Sequence, residues 1–144
     1  MYQRALLAVE FDEVGHHAAR HAAKLMNKLG GVLHLTHIIE PFPAYAYPGF
    51  AGFTEIEEPL KQHAETQLQT LGQELGVDED HLFLEIGSTK HEVLRLAKDL
   101  NIDLIIAGSH SKHGIAYLLG STSNAILHGA ECDVLIVRPD TKAK

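Results

Sequence analysis

The stretch IDLIIAGSHSKHGIAYLLGSTSNAILHGAECDVLIV, residues 102–137, decides the predicted fold and the predicted site. It begins with an apolar strand, residues 102–107, and continues in a loop of small and polar residues, 108–123. A short helix and a second apolar strand, residues 134–137, follow. The loop contains Gly108-Ser-His-Ser near its start and Gly120-Ser-Thr-Ser just before the helix. Backbone amides at a helix N-terminus, flanked by hydroxyls and glycines, form an anion-binding cradle. The stretch therefore predicts a site for a phosphate, and hence for a nucleotide.

Composition and charge exclude several classes of protein. With 144 residues, 45% hydrophobic and 22% charged, the chain is expected to form a single soluble domain over residues 1–144. A formal net charge of -7 disfavours nucleic-acid and anionic-membrane partners, which bind basic surfaces. The first apolar run, residues 5–9, is too short for a signal peptide or a membrane span. A lone Cys132 forms no internal disulfide, which favours a cytoplasmic location.

The rest of the chain alternates apolar runs of strand length with segments of helical periodicity, as in parallel α/β proteins. The remaining strands are predicted at residues 5–9, 32–39 and 82–86. The first helix is expected to begin after Asp12 and to end at Gly30-Gly31, and the second to begin at about Thr54. Thr89 and Glu92 have the spacing of a capping box at the third helix. We therefore predict a three-layer α/β/α sandwich with an open five-stranded parallel sheet and four helices.

The strand order follows from the right-handed crossover rule. If strands one to three wind in one direction and strands four and five in the other, the order is 3-2-1-4-5, and strands one and four are neighbours. Ligands of open α/β sheets bind outside the carboxyl ends of such strands. The segments meeting there are residues 10–12 and 108–111, so the topology and the glycine-rich loop predict the same site.

The chain resembles the universal stress protein family over essentially its whole length. The residues that carry the resemblance are Leu6-Leu-Ala-Val-Glu10, Leu35-Thr-His-Ile-Ile39, Asp103-Leu-Ile-Ile-Ala-Gly-Ser-His110, Leu119-Gly-Ser-Thr-Ser123 and Cys132-Asp-Val-Leu-Ile-Val-Arg138. The family's adenine-nucleotide signature is a glycine, two residues, a second glycine, nine residues, then a glycine with a serine or threonine. Gly108 matches its first position and Gly120-Ser121 its last.

The chain departs from this signature in three ways. Ser111 replaces the second glycine, eight residues instead of nine separate it from Gly120, and Glu10 replaces the usual aspartate after the first strand. A serine disfavours the positive φ that a glycine permits, and the shorter loop should move the Gly108 and Gly120 arms relative to each other. We therefore expect the site to accept adenine and a first phosphate but not to hold a triphosphate tightly.

The resemblance implies a set of nucleotide-binding residues. The adenine and ribose pocket would be lined by Ala8, Val9, Glu10 and Ile38, with Ile38 acting through its backbone. Ribose and phosphate would be held by Ala107, Gly108, Ser111, Gly120, Ser121, Thr122 and Ser123, with His110 as a further phosphate donor. Two alternatives remain open from the residues alone: residues 121–123 only cap the fourth helix, and His110 is only a solvated loop histidine.

The remaining histidines predict no site. His16, His17 and His21 are interpreted as a solvated face of the first helix, although the i,i+4 spacing of the last two can hold a metal. His37, in an apolar strand, is interpreted as packed and hydrogen-bonded. The connection at residues 40–53 leaves the rim of the proposed pocket, and its aromatic residues either cover the nucleotide, pack on a partner subunit or are mobile.

The leading functional hypothesis is a cytoplasmic stress-response protein that binds AMP or ATP, with or without Mg²⁺, and is regulatory. Residues 134–137 form an outer apolar strand, which predicts a homodimer through that edge. No catalytic residue is predicted, since no Walker or nucleophile-elbow motif occurs. No metal site, redox cofactor, nucleic-acid partner or membrane partner is predicted either. The alternatives are a nucleotide-free member of the family that acts through dimerisation and protein partners, and a slow ATP hydrolase.

Overall fold

Strands and helices alternate along the chain in the computed structural model, which describes residues 1–41, 54–109 and 120–139 and, for residues 54–57, the backbone alone. The elements are β1 (Arg4–Ala8), α1 (Glu13–Leu29), β2 (Val32–Ile39), α2 (Thr54–Leu75), a 3-10 turn (Glu79–His81), β3 (Leu82–Ile86), α3 (Thr89–Asp99), β4 (Leu104–Gly108), α4 (Ser121–Gly129) and β5 (Asp133–Val137). No helix in these ranges is long and apolar enough to cross a membrane.

The five strands form one sheet in the order β3-β2-β1-β4-β5, and every neighbouring pair is parallel. In the register, Leu6 of β1 lies between His34 of β2 and Ile105 of β4. This confirms the predicted fold class and strand order. β1 and β4 are neighbours although they are distant in sequence. The loops that follow them therefore meet at the carboxyl ends of the strands.

The two faces of the sheet bury separate apolar clusters. Leu7 packs with Ala18 of α1 and Leu68 of α2, whereas Leu6 packs with Val93 of α3 and Ile126 of α4. Successive residues of a strand point to opposite faces, so one strand serves both layers. The helix pairs α1/α2 and α3/α4 therefore cover opposite faces. Full burial of each leucine, isoleucine or valine among them stabilises the fold by about 1.5–3 kcal/mol.

Helix α1 begins and ends as the sequence predicts. Asp12 has an extended backbone, and its carboxylate accepts the Gly15 amide at 2.8 Å. Gly30 ends the helix with φ +73°, a left-handed conformation that glycine adopts without strain. Leu29, the last residue of the helix, is 36% exposed, whereas Ala22 and Met26 of the same helix are buried.

Two local predictions are wrong. The N-cap of α3 is Ser88 rather than Thr89, and the predicted capping box is absent from this end of the described helix. Instead, the Thr89 amide donates to a carboxylate oxygen of Glu40 at 3.0 Å, and Glu92 pairs with Arg95. The strand predicted to begin at residue 102 begins at Leu104, because the residue-102 amide still bonds to the last turn of α3.

Candidate functional site

A cleft of about 820 Å³ opens at the carboxyl ends of β1, β2 and β4. Its volume lies within the range of small-molecule sites, roughly 300–1,000 Å³. The first turn of α4 forms one end, and α1 and α2 form the other. Nine of the predicted site residues line it: Ala8, Glu10, Ile38, Ala107, Gly108, Gly120, Ser121, Thr122 and Ser123. The topology thus brings together residues that are up to 115 positions apart in the chain, from Ala8 to Ser123.

The three other predicted residues are placed differently. Val9 is only 2% exposed and lies below the cleft, where its carbonyl oxygen contacts the His37 ring. His110 and Ser111 lie outside the described residues.

The start of α4 presents amide donors to the cleft for which the described residues supply no acceptor. Its N-cap is Gly120, in an extended conformation, and no side chain of the described residues caps it. The first backbone bond within the helix is donated by Asn124 to the Gly120 carbonyl at 2.9 Å. The amides of residues 121–123 precede it and have no acceptor in the preceding turn. The alternative that these hydroxyl side chains cap the helix is therefore wrong.

Two hydrogen bonds join the two ends of the glycine-rich loop, and we call them the clamp. The Gly120 amide donates to the Ser109 carbonyl at 2.8 Å, and the Ser123 hydroxyl donates to the Gly108 carbonyl at 2.5 Å. The Ser109 amide in turn donates to Val137 of β5 at 3.0 Å. The clamp fixes the end of β4 against the start of α4. Because the Ser123 hydroxyl already donates its proton to the Gly108 carbonyl, the backbone amide of Ser123 is the donor that remains for a ligand.

Two glycines shape the cleft for different reasons. At Gly108, an added Cβ would meet no described atom within 4 Å, so among the described residues the missing side chain leaves space in the cleft. At Gly15, an added Cβ would lie 1.9 Å from the Glu10 carbonyl oxygen. Gly15 therefore allows the first turn of α1 to approach the end of β1.

The segments that follow β1 and β2 contribute acidic residues to the cleft. Glu10, Asp12 and Glu40 line it. Glu10 is solvent-accessible, but the walls of a concave site surround its carboxyl group with protein. The resulting desolvation is the main cause of its raised pKa; the field of His37 lowers the pKa, and Asp12 and Glu40 raise it further. The cleft thus offers amide donors at the start of α4 and carboxylate acceptors in the segments that follow β1 and β2.

Several cleft residues were missed by sequence reasoning. Phe11, His37, His63 and Gln67 line the cleft, with His63 and Gln67 spaced i,i+4 on α2. His63 and Gln67 lie next to the helical positions of Leu60 and Ala64, which also line the cleft, but only the packing of α2 shows which polar residues of the helix face it. The interpretation of His37 as packed and hydrogen-bonded is confirmed, since its Nδ1 lies 2.7 Å from the Val9 oxygen.

The α1 histidines lie outside this site. His17 and His21 have ring centroids 6.4 Å apart, and His21 is exposed. Over residues 1–41, 54–109 and 120–139, no group of three or more potential ligands is arranged to hold a metal ion.

The family model of the universal stress protein family matches residues 1–138. The chain belongs to the universal stress protein family. It is 39% identical over 139 residues to universal stress protein A homolog 2 of Coxiella burnetii, and the match covers 95% of each chain. The fold matches that of hypothetical protein MJ0577 with a TM-score of 0.81 and 24% identity, over 98% of this chain and 99% of the other. A universal stress protein in complex with cAMP is also similar, with a TM-score of 0.67 and 19% identity over 95% and 97% of the two chains.

Proposed function

We propose that this universal stress protein binds an adenine nucleotide, AMP or ATP, in the cleft at the carboxyl ends of β1 and β4. The observation that carries the proposal is the uncapped start of α4, which opens beside Gly108 into the cleft among the described residues. Helix N-terminal amides and the helix dipole favour a phosphate group at such a position. The similar universal stress protein in complex with cAMP supports the same ligand class.

The polarity of the cleft fits a nucleotide better than a simple anion. A phosphate matches the donors at the α4 end, whereas a base with N–H groups matches the carboxylates of Glu10 and Glu40 at the other end. Additional phosphates bring more negative charge into a cleft that already contains carboxylates. We therefore expect AMP to bind more tightly than Mg²⁺-free ATP, and Mg²⁺ to reduce the difference.

The proposed contacts follow this polarity. Gly108, Gly120 and the amides of residues 121–123 would hold the phosphate. Ala8, Glu10, Ile38 and Ala107 would line the sugar and base. His110 and Ser111 stay predicted contacts that lie outside the described residues.

Isothermal titration calorimetry of the pure protein tests the proposal. AMP, ADP and ATP, with and without Mg²⁺, are each titrated to millimolar concentration, with inorganic phosphate as the control anion. Mass spectrometry of ligand released from freshly purified protein identifies any nucleotide that is retained. The proposal requires saturable heat with at least one adenine nucleotide. The absence of both heat and a thermal shift at millimolar concentration would refute it.

We further propose that the role is regulatory. The Ser123 hydroxyl, a possible nucleophile in the cleft, donates its proton to the Gly108 carbonyl, and no general base contacts it in the described residues. We expect at most slow ATP hydrolysis. Turnover well above background that His110→Ala abolishes would favour the hydrolase alternative instead.

A homodimer through β5 forms part of the proposal, as does a cytoplasmic location. Within the described residues, β5 pairs only with β4 and lies at the edge of the sheet. The Val137 carbonyl faces β4, since it accepts the Ser109 amide. Main-chain groups alternate in direction along a strand, so Ile136 directs its amide to the open edge.

Ile136→Pro removes that outward amide without breaking the ladder to β4, because edge strands tolerate proline where the N–H faces outward. Light scattering should then show a folded monomer, whereas Ile136→Val should remain a dimer. An unchanged dimer for the proline variant would place the interface elsewhere.

A further inference from the structure

We infer that His37 determines base specificity: its Nε2 atom accepts a hydrogen bond from the amino group of the bound base, so that the cleft prefers a 6-amino purine to a 6-oxo purine. The inference rests on the proposed nucleotide binding and adds the residue and the chemical group that select the base. It concerns a side chain that the sequence indicated only as a packed histidine.

The hydrogen bond to Val9 fixes the tautomer of His37. Nδ1 lies 2.7 Å from the Val9 carbonyl oxygen, and a carbonyl only accepts, so Nδ1 carries the hydrogen. In the neutral ring, Nε2 is then an acceptor. The ring also packs against Phe11, with centroids 4.5 Å apart and planes tilted by 41°. Both contacts hold the imidazole in one orientation at the wall of the cleft.

The sheet geometry places His37 opposite the base rather than the sugar. β1 lies between β2 and β4, and neighbouring strands are about 4.8 Å apart, so β2 is roughly 10 Å from β4. A phosphate bound at the start of α4 beside Gly108 lies at the β4 end of the cleft. The sugar is bonded directly to the phosphate, and the base lies beyond it. A nucleotide extended across β1 therefore brings its base to β2.

The surroundings of His37 favour a donor on the ligand. The carboxylates of Glu10, Asp12 and Glu40 accept hydrogen bonds when ionised. Two of them already hold protein amides: Asp12 accepts from Gly15, and Glu40 accepts from Thr89. An amino group satisfies the remaining acceptors, whereas an oxo group brings another lone pair towards them.

Two further cleft residues do not discriminate by themselves. His63 and Gln67 approach from α2, and each has both a donor and an acceptor. His37 differs from them because its Nδ1 donates to the Val9 carbonyl, so that Nε2 of the neutral ring can only accept.

The test compares AMP with IMP, which has an oxo group in place of the 6-amino group. Calorimetry with the full chain at pH 8 should give the wild type an AMP preference of about 10-fold or more, since an unpaired acceptor in the IMP complex weakens binding. His37→Asn keeps an amide donor near Val9 but does not reach the Nε2 position, so its preference should fall towards one. His37→Gln reaches that position and should retain part of the preference. His91→Asn, at an exposed site on α3, is the matched control and should behave as the wild type.

Nitrogen-15 NMR of the His37 ring gives a second measurement that needs no variant. AMP should shift the Nε2 resonance, and IMP should not produce the same shift. Equal affinity of the wild type for AMP and IMP, or an undiminished AMP preference in folded His37→Asn, would overturn the inference and leave nucleotide binding intact. If neither nucleotide binds the wild type, the proposed function fails, and the inference fails with it.

Discussion

Replacement of Gly108 by alanine should change stability and ligand affinity in opposite directions. The added Cβ meets no described protein atom within 4 Å, and φ at Gly108 lies outside the left-handed region. The folded chain therefore accommodates the methyl group without strain, while the unfolded chain loses conformational freedom. This difference should stabilise the protein by about 0.4–1 kcal/mol.

The same methyl group occupies space that the proposed ligand needs. Overfilling a well-packed contact costs about 1–3 kcal/mol. At 1.4 kcal/mol for each factor of ten, the affinity for AMP should fall by about 5- to 150-fold. Urea unfolding measures the first effect, and calorimetric titration with AMP measures the second.

Gly76→Ala provides the matched control. An added Cβ at Gly76 also meets nothing described within 4 Å, but φ is +71°. Alanine in that conformation costs about 1–2 kcal/mol, so this variant should lose stability and keep its affinity for AMP. If Gly108→Ala loses stability, or binds AMP as tightly as the wild type, the interpretation of Gly108 as a space-making residue is wrong.

Substitutions at three other positions test one helix cap and two shifted pKa values. Asp12→Ala removes the acceptor of the Gly15 amide and should reduce the free energy of unfolding by about 1 kcal/mol. Asp12→Asn keeps an acceptor and should retain most of that free energy. Equal losses in the two variants would show that the charge of Asp12, and not its hydrogen bond to Gly15, stabilises the helix. Desolvation raises the pKa of Glu10, which favours the folded state below about pH 4.5 and penalises it as the carboxyl ionises at higher pH. The stability of Glu10→Gln relative to the wild type should therefore increase from pH 4 to pH 7 in urea titrations, and a constant difference would contradict this. Burial lowers the pKa of His34, whose stabilisation is present above about pH 6.5 and lost on acidification; the wild type should lose stability between pH 7 and pH 5 more steeply than His34→Gln, and parallel curves would argue against the shift.

The fold could be predicted from the sequence because each layer leaves a local signal. Continuous apolar runs indicated strands that are buried on both faces, and the crossover rule then gave the strand order. The failure at Thr89 has a different origin. Its amide is satisfied by Glu40, 49 residues away in the sequence, and no local spacing reports such a contact. Ser88 and Thr89 are both acceptable caps by residue type, so only the tertiary contact explains the observed boundary.

The candidate site was predictable where it depends on the backbone and less so where it depends on side-chain partners. Gly108 and Gly120 follow from the loop pattern and the topology, and both line the cleft. The Ser123 hydroxyl, by contrast, was counted among the ligand donors, whereas its proton is donated to Gly108. The contribution of α2 through His63 and Gln67 depends on how that helix packs across the sheet, which composition and periodicity leave open.

Because of the clamp, residues 110–119 should be replaceable by segments of other lengths. Its hydrogen bonds connect Gly108 and Ser109 directly to Gly120 and Ser123, so the two anchor points need no help from residues 110–119 to stay in register. Since loop closure becomes only slowly more costly with length, insertions or grafted peptides of varied size should be tolerated there. A change in loop length, such as the one-residue difference between this chain and the family signature, would then alter which groups reach the proposed ligand while the clamped backbone keeps its shape.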